Sequence, residues 1–163
     1  MSFTANTARR FESHRVRVQN TVGTMSYNTM RSMSIKVNSK FPKLTFFSCL
    51  ACLAPLGMEN GKITSVQLTA SSQWDGNHSP DRARLNIPAI GNYKGAWAVA
   101  ADQVNQNQWI LVDLRIKTRI TYVATQGRAE NVQWIKKYKL QFGDDGSSFE
   151  VFKQEGENVD KVG

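Results

Sequence analysis

Short runs that alternate between apolar and polar residues recur at roughly ten-residue spacing in the second half of this chain. Residues 63–72, ITSVQLTASS, are an example, because Val66, Leu68 and Ala70 would share one face of a strand. Such a pattern is typical of a sheet with one buried face. Two denser candidate strands are QWILVDL, residues 108–114, and RITYVATQG, residues 119–127.

The pattern continues toward the C-terminus. YKLQF would place Tyr138, Leu140 and Phe142 on one face, and FEVF would place Phe149 and Val151 together. Between these runs GDDGSS, residues 143–148, predicts a hairpin turn. Because no stretch has a convincing helical period, we predict an all-β fold, either a sandwich or a barrel.

Charge divides the chain into two parts. Residues 1–48 contain eight basic residues and Glu12 alone as an acid, a net charge of +7, whereas residues 49–163 have a net charge of only +1. The folded part therefore lacks the clustered basic face of a nucleic-acid-binding domain. We expect residues 1–48 to be a disordered or mis-assigned basic leader, or an organellar transit peptide, and residues 49–163 to be the domain.

The apolar run LTFFSCLACLAPLGM, residues 44–58, follows the leader. It is too short to span a bilayer, so no transmembrane segment is predicted, but it has the length of a signal-peptide apolar region. Translation that starts late, or a mis-joined exon, would explain its position. Cys49 and Cys52 form a CxxC without a second pair, and His14 and His78 lie at no recognisable ligand spacing, so no metal site is predicted.

Residues 71–107 form a long region rich in glycine and proline, which favours a binding function for its loops. Trp74 stands out there as a large apolar ring in a polar turn. Asn77 begins a glycosylation sequon, although Pro80 favours a turn-forming role. A hydrolase is the enzymatic alternative, but neighbours on one loop rarely converge as a catalytic triad, so we predict no enzyme. The residues behind that alternative are Asp75, His78 and Ser79.

Several stretches resemble, in order, the discoidin domains, also called coagulation factor 5/8 type C domains. They are CLAPLGMENGKIT, LTASS, SPDRARLN, GAWAV, WILVDL, TYVATQGR and YKLQFGDDGSSF. The most specific part runs from Ala96-Trp97 through Trp109–Asp113 to Val123–Gly127. The resemblance covers residues 52 to about 155 and excludes the leader.

The resemblance implies a jelly-roll β-sandwich of the galactose-binding-domain-like type, secreted or on a cell surface, as part of a larger protein. It also implies a non-catalytic module that binds through loops at one end. Its partners would be a cell-surface or extracellular-matrix protein such as collagen, a glycan, or an anionic phospholipid headgroup. Some members carry a structural calcium, which this sequence neither requires nor excludes.

The resemblance also assigns roles to individual residues. Cys52 matches a cysteine that normally closes a disulfide with one at the far end of the domain. Arg84 is expected either to pair with Asp113 or to be a solvated surface charge. The residues expected to be structural are Cys52, Arg84, Trp97, Trp109, Asp113 and Gly127. The residues expected on the ligand-binding loops are Gln73, Trp74, Asp75, Asn77, His78, Arg128, Glu130 and Asn131.

The ligand class follows from the polarity of these loops. GRAENVQW, residues 127–134, has only Val132 as an apolar residue before Trp134, and membrane insertion usually needs several apolar tips. Trp74 with a polar rim therefore favours a protein or collagen-like ligand, followed by carbohydrate and then phospholipid.

The C-terminal end departs from the family pattern. Only 112 residues run from Cys52 to Gly163, no cysteine follows, and the last strands of the family are expected to be missing. Missing strands would leave unpaired sheet edges. The alternative function is therefore a non-functional gene fragment, or an intracellular or organellar interaction protein that keeps its basic leader.

Overall fold

The computed structural model describes residues 2–5, 11–20, 32–39, 54–104, 107–128, 130–153 and 161–162. Ten strands lie in this part of the chain, and every pairing between them is antiparallel. They are β1 Ser2–Ala5, β2 Phe11–Asn20, β3 Ser32–Ser39, β4 Ala54–Pro55, β5 Leu68–Ala70, β6 Trp97–Ala98, β7 Trp109–Gln126, β8 Lys137–Gly143, β9 Glu150–Val151 and β10 Lys161–Val162. Single 3-10 turns are Ser65–Gln67, Gly76–His78, Pro80–Ala83 and Ala101–Gln103. The predicted all-β class is confirmed.

Strand β7 organises the sheet, because it pairs with β1, β2, β3 and β5. It joins the two candidate strands of the sequence, residues 108–114 and 119–127, into one long element. Its first half alternates, with Ile110, Val112 and Leu114 buried. At Arg115 the backbone turns through a φ of +67°, and the register with β2 shifts nearby. A shift of this kind bends a strand, so β7 changes direction at this point.

Strand β2 lies within residues 1–48, the predicted leader. It lies between β7 and β8 and pairs with both. Val16 and Val18 are buried, with Arg15 and Arg17 at the alternate positions. This basic segment therefore has the alternation of a half-buried strand. Residues 2–5, 11–20 and 32–39 are thus strands rather than disordered segments, whereas the assignment of residues 1–48 as a leader stays a prediction.

Missing C-terminal strands were expected to leave sheet edges unpaired, but β2 fills the space between β7 and β8. Residues of β2 pair with Trp109–Asp113 on one side and with Tyr138–Gly143 on the other. The facing edges of β7 and β8 are thus both occupied. The boundary placed between residues 48 and 49 stays a prediction, and both Cys49 and Cys52 lie outside the described residues.

The core combines both ends of the chain. Tyr138 and Leu140 are buried, and Phe142 packs against the core, as the alternation in YKLQF predicted. The predicted inward position of Val66 is wrong, since this side chain is 76% exposed. Val66 lies in the Ser65–Gln67 turn, before the strand begins at Leu68. The main buried hydrophobic residues are Val16, Val18, Met58, Ile63, Leu68, Trp97, Ile110, Val112, Ile120, Tyr138, Leu140 and Phe152.

The predicted hairpin turn after β8 is confirmed. β8 pairs with β9, and Gly146 has a φ of +82°, a conformation that glycine adopts without penalty. The Asp145 carboxylate accepts hydrogen bonds from the backbone N–H groups of Ser148 and Ser147, both at 2.8 Å. These bonds lower the pKa of Asp145 to about 2.

Candidate functional site

The loop that carries Trp74 is attached to the core through Trp97. The indole Nε1 of Trp97, a buried residue of β6, donates a hydrogen bond to the carbonyl oxygen of Ser72 at 2.9 Å. The N–H of Trp74 donates to the carbonyl of Ala98 at 2.8 Å. The backbone on both sides of residue 73 is therefore held, while the Trp74 side chain is 40% exposed. The structure thus supports a ring presented to the outside by a fixed backbone.

Asp75 organises the next turn. Its carboxylate accepts hydrogen bonds from the N–H groups of Asn77 and His78, at 2.8 and 3.0 Å, and so caps the Gly76–His78 turn. The same oxygen lies 2.7 Å from Nδ1 of the buried His78 ring. The hydrogen bond from the His78 side chain is the main reason that the pKa of Asp75 lies below its ordinary value.

Arg128 connects this turn to the loop after β7. Its Nη1 lies 3.4 Å from Nε2 of His78 and donates to the side-chain oxygen of Gln133 at 3.1 Å. Its Nε lies 3.5 Å from a carboxylate oxygen of Glu130. The guanidinium therefore faces the ring nitrogen of one loop and the acid of another, although its side chain is only 7% exposed.

A third loop, residues 88–95, is hydrogen-bonded both to the loop that carries Trp74 and to the loop that carries Arg128 and Glu130. The N–H of Lys94 donates to the carbonyl of Asn77 at 3.0 Å, and the N–H of Gly95 donates to Glu130 at 2.7 Å. Burial raises the pKa of Glu130, but the Gly95 hydrogen bond and the charge of Arg128 together bring that pKa below its ordinary value. We name residues 73–78, 88–95, 128 and 130–133 the three-loop surface.

Arg82 stabilises the third loop through hydrogen bonds and a contact with an aromatic ring. Its guanidinium donates to the carbonyl oxygens of Lys94 and Pro88, at 2.7 and 2.6 Å, and lies 5.8 Å from the centre of the Tyr93 ring. Ile90 and Tyr93 exchange two backbone hydrogen bonds, which close a tight turn. Together these hydrogen bonds hold the loop in one conformation before any ligand arrives.

Large apolar side chains are exposed on all three loops. The exposed fractions are 40% for Trp74, 65% for Ile90, 54% for Tyr93 and 80% for Val132. The surface therefore has apolar tips on a base of partly buried polar contacts. Exposed groups of this kind mark interaction sites more often than isolated apolar residues do.

The residues predicted for the ligand-binding loops all lie on the three-loop surface, and their role in binding stays a prediction. Hydrogen bonds or close polar contacts connect Asp75, Asn77, His78, Arg128 and Glu130. Gln73 and Asn131 are exposed beside them. Ile90 and Tyr93 were not predicted for this surface, although, like Trp74, they are apolar residues in a loop region rich in glycine and proline.

The residues predicted to be structural occupy different environments. Trp97 is in the core, whereas Trp109 is only partly buried and stacks against the guanidinium of Arg17 at 4.8 Å. A Cβ atom on Gly127 would lie 2.9 Å from the carbonyl oxygen of Gln133, so the close approach of these two backbones requires glycine.

The predicted pair between Arg84 and Asp113 is wrong. Nη1 of Arg84 donates to the carbonyl oxygens of Met58 and Ile63, at 2.8 and 2.7 Å. Asp113 instead lies 3.5 Å from the guanidinium of Arg15, on the paired strand β2. The leader thus supplies the partner that the sequence assigned to another arginine.

Neither a metal site nor a membrane-spanning helix is found in the part of the chain that the structure describes. No group of three or more His, Cys, Asp or Glu side chains in that part of the chain is arranged to hold a metal ion. No helix there is long and apolar enough to cross a membrane.

Comparison with known proteins identifies the family. The model of the F5/8 type C domain matches residues 67–162, more than half of the chain. Bovine coagulation factor V is 38% identical over 117 residues, which are 68% of this chain and 5% of that protein. Pig lactadherin is 37% identical over 120 residues, 69% of this chain and 28% of lactadherin. Human neuropilin-1 is 36% identical over 107 residues, 63% of this chain and 11% of neuropilin-1.

These relatives are much longer than the part that matches, so the chain corresponds to a small share of each. No solved structure matched. The family match and the antiparallel all-β fold agree, and the chain belongs to the F5/8 type C, or discoidin, domain family.

Proposed function

We propose that this chain is a non-catalytic extracellular binding module, part of a secreted or cell-surface protein, that binds its ligand through the three-loop surface. Membership of the discoidin family supports a binding role. The position of the exposed apolar residues on three mutually bonded loops supports this surface as the site. A fixed base with exposed tips loses little conformational entropy when a ligand binds.

An anionic phospholipid surface is the ligand that these tips favour. Trp74 and Val132 were the only apolar tips expected from the sequence, but Ile90 and Tyr93 are exposed as well. Burial of apolar area contributes about 25 cal/mol per Å², so four tips together reach a useful affinity where one does not. Lys94, on the same loop as Ile90, adds a positive charge that an anionic headgroup attracts.

The arrangement around His78 supports a non-catalytic role. In a serine triad the imidazole nitrogen opposite the acid faces a nucleophile. Here Nδ1 of His78 faces Asp75, and Nε2 faces the guanidinium of Arg128, which is no nucleophile. Ser79 donates its hydroxyl hydrogen bond to Asp81 instead. These contacts stabilise the loops.

Vesicle co-sedimentation of the full chain tests the lipid proposal. We expect binding to vesicles of phosphatidylserine and phosphatidylcholine, and much weaker binding to phosphatidylcholine alone. Ile90→Ala should weaken binding several-fold, and Trp74→Ala by about 2 kcal/mol, roughly 30-fold. Ile116→Ala is the matched control, because Ile116 is 70% exposed and lies outside the three loops. Equal losses from Ile90→Ala and Ile116→Ala would contradict the proposal.

A protein ligand is the second candidate. Trp74 and Tyr93 are exposed aromatic residues, and a guanidinium lies near the ring of Tyr93, a combination that is common at protein hot spots. Binding to immobilised collagen that Trp74→Ala abolishes, without binding to either vesicle, would favour this candidate. Binding to a galactose-type glycan with the same mutational pattern would favour a carbohydrate.

A further inference from the structure

Strand β2 lies outside the residues that match the family, yet it pairs with two strands inside them. The family model matches residues 67–162, which include β7 and β8, but β2 lies at residues 11–20. Without β2, the facing edges of β7 and β8 would leave a row of unpaired backbone N–H and C=O groups. These two edges therefore form a slot for one strand, which we name the β2 slot.

The inward face of β2 fits the core beneath the slot. Val16 and Val18 are 1% and 2% exposed, and Ser13 and Asn20 are buried at the two ends of the same strand. The N–H of Asn20 donates to the carbonyl of Gln108 at 2.8 Å, which anchors the far end. A shift of one residue would turn Arg15 and Arg17 into the core, so the pattern excludes such a shift.

Ser13 fixes that register. It is fully buried where the pairing of β2 with β7 shifts. Its hydroxyl oxygen accepts hydrogen bonds from the N–H groups of Arg15 and Gly143, at 3.1 and 3.0 Å, and lies 2.8 Å from the carbonyl oxygens of the same two residues. One side chain thus satisfies the backbone where the regular ladder is interrupted, as buried polar groups require.

The outward face of β2 makes its own contacts with the slot. The guanidinium of Arg17 lies 4.8 Å from the ring centre of Trp109 and 5.2 Å from that of Phe149. Cation–π contacts at these distances are attractive. Arg15 donates to the carbonyl of Asp144 at 2.8 Å, and its other terminal nitrogen lies 3.5 Å from the Asp113 carboxylate.

We propose that residues 11–20 are a separable donor strand, and that the β2 slot is an interaction surface specific for it. Recognition combines the backbone ladder on both edges, two small apolar side chains inside, the Ser13 hydroxyl at the shift, and cations outside. Addition of a strand to exposed sheet edges is a general mode of peptide binding. The slot binds this strand from the same chain and from a second copy alike.

Cleavage of the full chain tests whether the strand is held without covalent attachment. A protease site introduced between β3, which ends at Ser39, and β4, which begins at Ala54, allows the chain to be cut after folding. We expect the two pieces to elute together on gel filtration, with the amides of Val16 and Val18 as protected from hydrogen exchange as those of Ile110 and Val112. Release of the N-terminal piece from a C-terminal piece that still unfolds cooperatively would overturn the proposal.

Variants of the cut protein test specificity. Val16→Asp and Ser13→Ala should each speed release of the N-terminal piece at least tenfold. Glu12→Gln, at an exposed position of the same strand, should leave release unchanged. Equal retention of all three variants would overturn the specificity. If a variant fails to fold, amide exchange on the uncut wild-type chain tests the proposal instead. Unprotected amides at Val16 and Val18 would overturn it.

Exchange between copies tests binding in trans. The cut protein is unfolded and refolded with a tenfold excess of an isotope-labelled synthetic peptide of residues 1–39. We expect the label to enter a one-to-one complex, and a peptide with Val16→Asp to stay out. If neither peptide enters, or both enter equally, the slot is not a specific acceptor and the proposal is wrong.

Discussion

The indole Nε1 of Trp97 donates a hydrogen bond to the backbone carbonyl of Ser72 at 2.9 Å, and this bond joins the hydrophobic core to the loop that carries the exposed Trp74. A side chain of the core thus sets the position of a candidate ligand contact two residues further along. Stability and binding are therefore expected to respond together when this bond is removed.

Trp97→Phe should lower the free energy of unfolding by about 1–3 kcal/mol, because it leaves a carbonyl without its partner and removes buried ring volume. Denaturant titration followed by fluorescence measures the change. Trp74→Phe is the matched control and should change stability by less than about 0.5 kcal/mol, since that ring is partly exposed. Equal losses for the two variants would contradict the role of the Trp97 bond.

Gly95→Ala should disturb the link between the loop of residues 88–95 and the loop that carries Glu130. An added Cβ would lie 2.7 Å from a carboxylate oxygen of Glu130 and 3.0 Å from the carbonyl oxygen of Ile87, so neighbouring atoms must move. We expect a loss of about 1–3 kcal/mol in stability, together with faster amide exchange at Gly95. Gly76→Ala is the control, because nothing lies within 4 Å of its added Cβ. A stable Gly95→Ala variant with unchanged exchange would disprove the tight contact.

Arg84→Met should destabilise the fold by about 2 kcal/mol or more. The substitution removes the donor for the carbonyl oxygens of Met58 and Ile63 and leaves both without that bond. Burial also lowers the pKa of Arg84, as expected for a guanidinium withdrawn from water. Arg115→Met, at a side chain that is 59% exposed, should cost little by comparison in the same thermal unfolding experiment. If Asp113 were the partner of Arg84, adding Asp113→Asn to the Arg84→Met variant would restore part of the lost stability, because it would remove the unpaired carboxylate.

Acid should loosen the turn that Asp75 caps. The pKa of Asp75 is lower in the folded chain than its ordinary value, chiefly through the hydrogen bond from His78, so the carboxylate stabilises the fold when it is ionised. That stabilisation is complete above the ordinary Asp pKa of about 3.9 and is lost as the pH falls through the lower folded value. Emission from Trp74 should change in this acid window. Asp75→Asn should remove the transition, and its persistence in the variant would assign it to another group.

Local patterns in the sequence predicted much of the fold. Period-two alternation identified the buried faces of β7 and β8, and GDDGSS identified the turn at Gly146. The same rule failed at Val66, because the Ser65–Gln67 turn interrupts the alternation before β5 begins. Alternation indicates a face only where the backbone is extended, and a single turn reverses it.

The candidate site was predictable only in part. The polar loops around Trp74 and Arg128 could be chosen from composition and family resemblance, and the structure places them side by side. Their contact depends on Arg128 reaching His78, fifty positions away in the chain, which no local pattern reports. Ile90 and Tyr93 lie in a loop of the same composition as that of Trp74, but a loop has no period that separates exposed from buried apolar residues, so only the structure shows that both are exposed.

The sequence by itself determined the all-β class, the family and which residues of the longer strands face inward, because alternation and motif spacing are properties of neighbours along the chain. Only the tertiary structure decided where the basic N-terminal strand belongs. Net charge describes composition, whereas β2 is placed by backbone pairing on two edges and by the burial of Val16 and Val18. Those interactions join residues that lie ninety or more positions apart, so they exist only once the chain has folded.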